Sequence, residues 1–166
     1  MNIEFEKMPE DSRLWIYQAD RQLSAEEALF IKNNTDLFLE EWAAHGAGLN
    51  ASSVILYNQF LVIAVDEAMV RASGCSIDKQ VQYVQELGKE LLINFMDRTK
   101  IAFLEKESPA GRKEIFTTSL TDIKRKIEEG IIHSDTLTFN NLVQTKAQLQ
   151  DAWIVTAEDS WLKRYF

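Results

Sequence analysis

The chain has 166 residues, of which 46% are hydrophobic and 27% charged, and 26 acidic against 18 basic residues leave a formal net charge of −8. That is enough apolar material for one domain with a real core, spanning residues 1–166. The acidic balance makes nucleic acid an unfavoured partner, because a phosphate backbone is repelled unless basic residues cluster.

One short basic cluster exists, Lys124-Arg125-Lys126, and Glu128-Glu129 follows it directly. The longest apolar run, Phe60 to Val65, falls far short of a membrane span. The opening residues Met1 to Glu6 lack the basic, apolar and small-residue regions of a signal peptide. A single cysteine, Cys75, permits no intramolecular disulfide and no four-thiolate zinc site. A cytoplasmic protein is expected.

In chain order, residues 13–18 (RLWIYQ) are aromatic and β-branched with alternating character and read as a strand. A helix follows. Ser24 and Glu27 have capping-box spacing, in which each side chain satisfies a backbone donor of the other residue. Ala28, Ile31, Thr35, Phe38 and Trp42 recur at three and four residues and form one buried stripe. Gly46 and Gly48 are stop signals.

Two apolar runs then flank Asn58-Gln59, which reads as a tight hairpin. The second run, Phe60 to Val65, is apolar throughout, as in a central strand covered on at least one face. Ile77, Val81, Val84, Leu87, Leu91 and Phe95 mark a second amphipathic helix, and residues 100–106 a further strand. The order strand, helix, strand, strand, helix, strand predicts an α+β fold. Its core, about 13–106, is ferredoxin-like βαββαβ with an antiparallel sheet and both helices on one face.

Residues 107–166 read as a mixed α/β C-terminal extension. After a Pro/Gly loop (ESPAGRKE), residues 114–119 are an edge strand paired with the preceding one. A short helix starts at Ser119, with Asp122 in capping-box spacing. The last segment mixes short elements. Trp153, Trp161, Tyr165 and Phe166 predict that it packs on the main domain.

Four stretches carry a family resemblance: WIYQADR (15–21), WAAHGAG (42–48), DEAMVRASGCSIDKQV (66–81) and DSWLKRYF (159–166). The chain resembles a family of small bacterial proteins of unestablished function, often labelled ABC-transporter ATPases. The likeness runs over nearly the whole length, and Ser73-Gly74-Cys75-Ser76-Ile77-Asp78 is its most distinctive part. The label does not survive the residues. An ATP-binding cassette needs Gly-x-x-x-x-Gly-Lys-[Ser/Thr], whose amides and lysine hold the phosphates, and no such run is present. Nor is there the Leu-Ser-Gly-Gly-Gln signature of that superfamily.

The 66–78 stretch is nevertheless the leading candidate site. A strand end, a small-residue loop and a helix start present free backbone amides to an anion. Gly74 allows close approach, Ser73 and Ser76 offer hydroxyls, and Arg71 adds charge. The structural alternative has Ser76 capping the helix and Gly74 making a tight turn. Cys75 near the helix start is a candidate ligand-binding thiol, but a nucleophile needs a base, and His45 and His133 are remote in sequence. No metal-ligand spacing stands out. Asp66-Glu67 and Asp97-Arg98 read better as solvated or ion-paired charges than as a Mg²⁺ site. Trp15 and Tyr17 share one strand face and read as core or partner packing rather than base stacking.

These features predict a non-catalytic binding or regulatory module that self-associates or meets a protein partner through a sheet face or edge. The competing expectation is a small enzyme or sensor. It would take an anionic phosphate or carboxylate ligand at Arg71, Ser73, Gly74, Cys75 and Ser76.

Overall fold

A computed structural model of the chain describes residues 2–45, 49–105, 109 and 111–166, the side chains of 44 and 45 excepted. The first part contains β1 (Arg13–Gln18), α1 (Ala25–His45), β2 (Asn50–Leu56), β3 (Phe60–Asp66) and α2 (Gly74–Leu91). The second contains β4 (Lys100–Leu104), β5 (Ile115–Ser119), α3 (Ile123–Glu128), β6 (Leu137–Phe139), α4 (Lys146–Ala152) and β7 (Ile154–Thr156). The fold is α+β with two antiparallel sheets. None of the described helices is long and apolar enough to cross a membrane.

The first sheet has the order β1-β3-β2, with β3 antiparallel to both neighbours, as a split βαβ unit requires. A ferredoxin-like sheet would add β4 beside β1. Here β4 hydrogen-bonds in the second sheet, of order β5-β4-β6-β7. The flank of β1 is met instead by the C-terminal extension: Leu14 N–H donates to Gln144 O at 2.9 Å, and Arg13 forms a bridge with Thr145.

Strand periodicity sorts the core into layers. Leu61, Ile63 and Val65 of β3, with Tyr17 of β1, pack against Ile31, Leu39 and Trp42 of α1 and Val84 and Leu87 of α2. Phe60, Val62 and Ala64 point to the opposite face and pack against Ala102 and Leu104 of β4, Phe139 of β6 and Trp153. The far face of the second sheet is covered in turn. Phe103 of β4 meets Ile123 of α3, Ile132 and Leu162. The layers therefore run helices, sheet, sheet, then α3 with the C-terminal turns. Among the described residues, this stacking covers both faces of each sheet.

Local signals explain the elements and where they end. The capping box forms at α1: Glu27 N–H donates to Ser24 Oγ at 3.1 Å and Ser24 N–H to Glu27 Oε2 at 2.9 Å. Arg21 adds a fork–fork pair to Glu27, at 2.8 and 2.9 Å, and donates to Leu91 O. The expected stops Gly46 and Gly48 lie outside the described residues. The β2–β3 turn sits at Tyr57-Asn58, both at positive φ, one residue before the expected pair. It closes with Gln59 N–H donating to Leu56 O.

Phe95 is buried, but beyond the end of α2 rather than on it. The capping box expected at Ser119 does not form; Ser119 Oγ instead accepts Lys100 Nζ, and Asp122 pairs with Arg125. Among the tail aromatics Trp153 is buried, whereas Trp161 and Phe166 are nearly half exposed. Trp15 and Tyr17 face the helices. The Tyr17 hydroxyl donates to the buried Gln80 of α2 at 2.8 Å, and burial raises its pKa above the ordinary phenol value.

Two substitutions test this local bookkeeping. Leu92 ends α2 in the left-handed region at φ 56° with its side chain 87% exposed. It therefore bears the left-handed cost without packing in return, and Leu92→Gly should raise stability by about 0.5–1 kcal/mol in urea denaturation. The Arg21 bonds, then the Ser24 N–H, hold the Glu27 carboxyl down to about 2 from its ordinary 4.5. A depressed folded pKa gives stability that is present above the ordinary value and lost as pH falls toward 2. Glu27→Gln should cost about 0.5–1 kcal/mol at neutral pH, and the gap to wild type should close near pH 2.

Candidate functional site

The 66–78 stretch is held mainly by its own backbone and side chains. Beyond β3, Asp66 Oδ1 accepts Ala68 N–H at 2.9 Å and Glu67 Oε2 accepts Ala72 N–H at 2.7 Å. Two carboxylates thus satisfy loop donors that strand and helix leave over. Ser73 caps α2, its Oγ accepting Ser76 N–H at 3.1 Å and lying 2.9 Å from Ser76 Oγ. Ser76, expected as the cap, supplies the donor instead. Its carbonyl accepts the Trp42 indole N–H at 2.8 Å, which ties the start of α2 to α1.

Gly74 makes no tight turn. Its φ is not positive, and a Cβ there would meet nothing within 4 Å. Cys75 is exposed on the first turn of α2, and no hydrogen bond joins it to a base among the described residues. The His45 side chain lies outside the described residues, and His133 sits exposed in the extension. Asp97 Oδ1 accepts both the hydroxyl and the N–H of Thr99, which together hold its carboxyl below the usual range. Among the described residues no three His, Cys, Asp or Glu group to hold a metal ion.

Of the five expected site residues, Arg71 alone lines the open cleft beside this loop; Ser73, Gly74, Cys75 and Ser76 do not. The cleft encloses about 660 Å³ between the outer edge of β1, the 66–71 loop and residues 141–145. Its charged walls are Asp11, Arg13, Asp66, Glu67 and Arg71, with Gln144 among the neutral polar groups and Trp15 as an aromatic surface. The Arg13 guanidinium lies 4.6 Å from the Trp15 ring centroid and 3.6 Å from Glu67 Oε1. That combines a cation–π contact with an ion pair and fixes Arg13 against the wall. Arg71 has no ion-pair or hydrogen-bond partner among the described residues.

A second hollow, about 720 Å³, lies between residues 5–10, β2 and α4. Lys146 in its wall is buried and donates to Glu6 O and Met8 O, at 2.9 and 2.7 Å. Those bonds tether the N-terminal segment and leave the ammonium occupied.

Arg13, Trp15, Asp11 and Gln144 were not legible in sequence as one site. Residues 141–145 lie more than a hundred positions from β1 and carry no motif. The nearest signal was the charge pattern Asp11, Arg13, Asp66, Glu67, Arg71, which is dense for two short segments. No family model, curated protein or solved structure matches the chain.

The placement of Cys75 is directly measurable. Iodoacetamide should alkylate it stoichiometrically in the folded protein, without prior unfolding. Cys75→Ser should leave stability within about 0.5 kcal/mol of wild type, as for other exposed positions. A thiol protected until denaturant is added would contradict the structure.

Proposed function

We propose that the chain is a non-catalytic binding module of the cytoplasm whose ligand is a small molecule bearing a carboxylate or phosphate. The ligand sits in the cleft between β1 and the 66–71 loop, with Arg71 as its countercharge. The observation that carries this reading is the difference in engagement among neighbouring charges. Asp66 and Glu67 are already committed to loop amides, and Glu67 also faces Arg13. Arg71 is committed to nothing described. A guanidinium presents a planar fork of donors that matches a carboxylate or phosphate.

Trp15 supplies an apolar surface beside that charge, and Gln144 and Asp11 supply polar groups on the rest of the wall. A few polar groups around an aromatic surface is the usual composition of a small-molecule site. Asp11 also gives the cleft a carboxylate of its own, which favours ligands that carry a cationic or donor group at their other end. The helix start adds less than the sequence implies, because the Ser73 and Ser76 hydroxyls bond each other.

Titration with succinate, and separately with inorganic phosphate, tests the proposal by ¹⁵N–¹H spectroscopy. Saturable shifts are expected at the Trp15 indole and at the 66–71 amides. They should vanish in Arg71→Ala, which keeps the wild-type spectrum elsewhere. Unmoved resonances with both anions at high millimolar concentration would end this reading of the cleft.

A further inference from the structure

Five charged side chains line the cleft between β1 and the 66–71 loop: Asp11, Arg13, Asp66, Glu67 and Arg71. The protein itself engages three of them. Asp66 and Glu67 accept the N–H groups of Ala68 and Ala72, and Arg13 lies 3.6 Å from Glu67 Oε1 with its guanidinium over Trp15. Asp11 and Arg71 remain. Both are exposed. Among the described residues neither has an ion pair or a hydrogen bond, with the other or with any further group. The cleft as a whole sets three carboxylates against two guanidiniums. A ligand that brings only negative charge meets Arg71 favourably and the carboxylates unfavourably. One that brings an ammonium as well answers both free groups and adds no net charge.

The strand supplies a third unanswered element. Just past β1, Ala19 N–H donates to Gln59 O on the β3 side, whereas Leu14 N–H donates away from β3 to Gln144 O. Odd positions of β1 thus turn their main chain toward β3 and even positions turn away from it. Ile16 lines the cleft between Leu14 and Gln18, the two points where residues 141–144 touch this margin. Among the described residues nothing pairs with its outward N–H and C=O. Trp15 and Leu142, the latter 85% exposed, add apolar surface to the same wall.

We propose that the cleft takes a zwitterion of the amino-acid kind, with its carboxylate on Arg71, its ammonium at Asp11 and the link between them against Trp15 and Ile16. The inference rests on the reading of Arg71 as an anion's countercharge and adds the second charge to it. A guanidinium fork matches a carboxylate, and a carboxylate accepts the donors of an ammonium. Asp11 and Arg71 line one cleft without pairing across it, so a ligand has room to stand between them.

A phosphate ester or a dicarboxylate would satisfy Arg71 alone and leave Asp11 beside added negative charge. Free amino acids and short peptides share the chemistry that answers both. They differ in the link: a peptide carries amide groups that match the outward N–H and C=O of Ile16, as in strand addition, while a single amino acid does not. An apolar side chain of either has Trp15 and Leu142 to rest on.

Titrations with phenylalanine, trialanine, N-acetyl-trialanine and succinate, followed by ¹⁵N–¹H spectroscopy, test the proposal. Phenylalanine or trialanine should shift the Trp15 indole and the 66–71 amides with a Kd about tenfold below that of succinate. Capping the ammonium, as in N-acetyl-trialanine, should weaken trialanine by about the same factor. Both results uphold the zwitterion. An Ile16 N–H that moves with trialanine alone identifies a peptide, and tighter binding of phenylalanine identifies an amino acid. Asp11→Asn should bring trialanine and its N-acetyl form to equal affinity. The comparison of ligands on the wild type needs no variant, so a misfolded Asp11→Asn would leave the test intact. Succinate binding as tightly as both zwitterions would overturn this inference while the anion reading of Arg71 stands. No shift with any of the four would overturn both.

Discussion

The arrangement of the whole molecule follows from the burial of β3 on both of its faces. Phe60, Leu61, Val62, Ile63, Ala64 and Val65 are all inaccessible to solvent. An antiparallel strand commonly has one wet face and alternates accordingly. This one has no polar side, so two separate layers must cover it. α1 and α2 serve one face and the second sheet serves the other. At roughly 1.5–3 kcal/mol for each large side chain removed from water, this strand alone accounts for a sizeable part of the driving force. The second sheet then has an outer face of its own, with Phe103 and Phe116 stacked at 5.1 Å, and α3 and the 161–165 turn close over it.

Layering of this kind decides where a site can be. With the sheet faces closed, the strand margins and loops are what the layers leave open. The cleft exists because β4 joins the second sheet and leaves the flank of β1 to the extension. Residues 141–144 meet β1 at Leu14 and at Gln18 but do not run against it as a strand. The hollow beside that margin is walled by Arg13, Trp15 and the 66–71 loop. A fourth strand in that place would have filled it.

The parts of this structure that were legible in sequence are those fixed by local chemistry. Ser24 and Glu27 form the predicted box because a capping box needs only residues three apart. The boundaries of β1 at Arg13 and Gln18 and the start of β3 at Phe60 match the pattern of side chains to the residue. The Tyr57-Asn58 turn was read one residue late, because a hairpin turn without glycine has no strong marker. The β4–β5 pair of the second sheet was legible, but its β6–β7 half was not, for a different reason. Strands such as Leu137–Phe139 and Ile154–Thr156 are too short to show a period of two. Their partners are set by tertiary contact with Phe60 and Trp153, which no window of sequence contains. The site was half legible on the same grounds. Arg71 stood out beside a small-residue loop, while Arg13 and Gln144 reach the cleft only through the topology.

The formal charge of −8 disfavours a long polyanion, and it leaves room for a small one. Screening in physiological salt limits each charge to a reach of about 8 Å, so a bound group responds to its neighbours rather than to the total. Many of the acidic residues here are already at work. Glu27 caps α1 and pairs with Arg21, Asp36 accepts Ser53 and pairs with Lys32, and Asp97 holds its own turn. In the 66–71 loop the same economy applies: both carboxylates accept backbone donors, and Glu67 also faces Arg13. Among the described residues Arg71 is a cation of this cleft with no ion pair or hydrogen bond, and the Asp11 carboxylate lines the same cleft. An acidic protein can thus hold a local cationic point in a walled cleft, because Asp66 and Glu67, the carboxylates of the adjoining loop, are spent on building it.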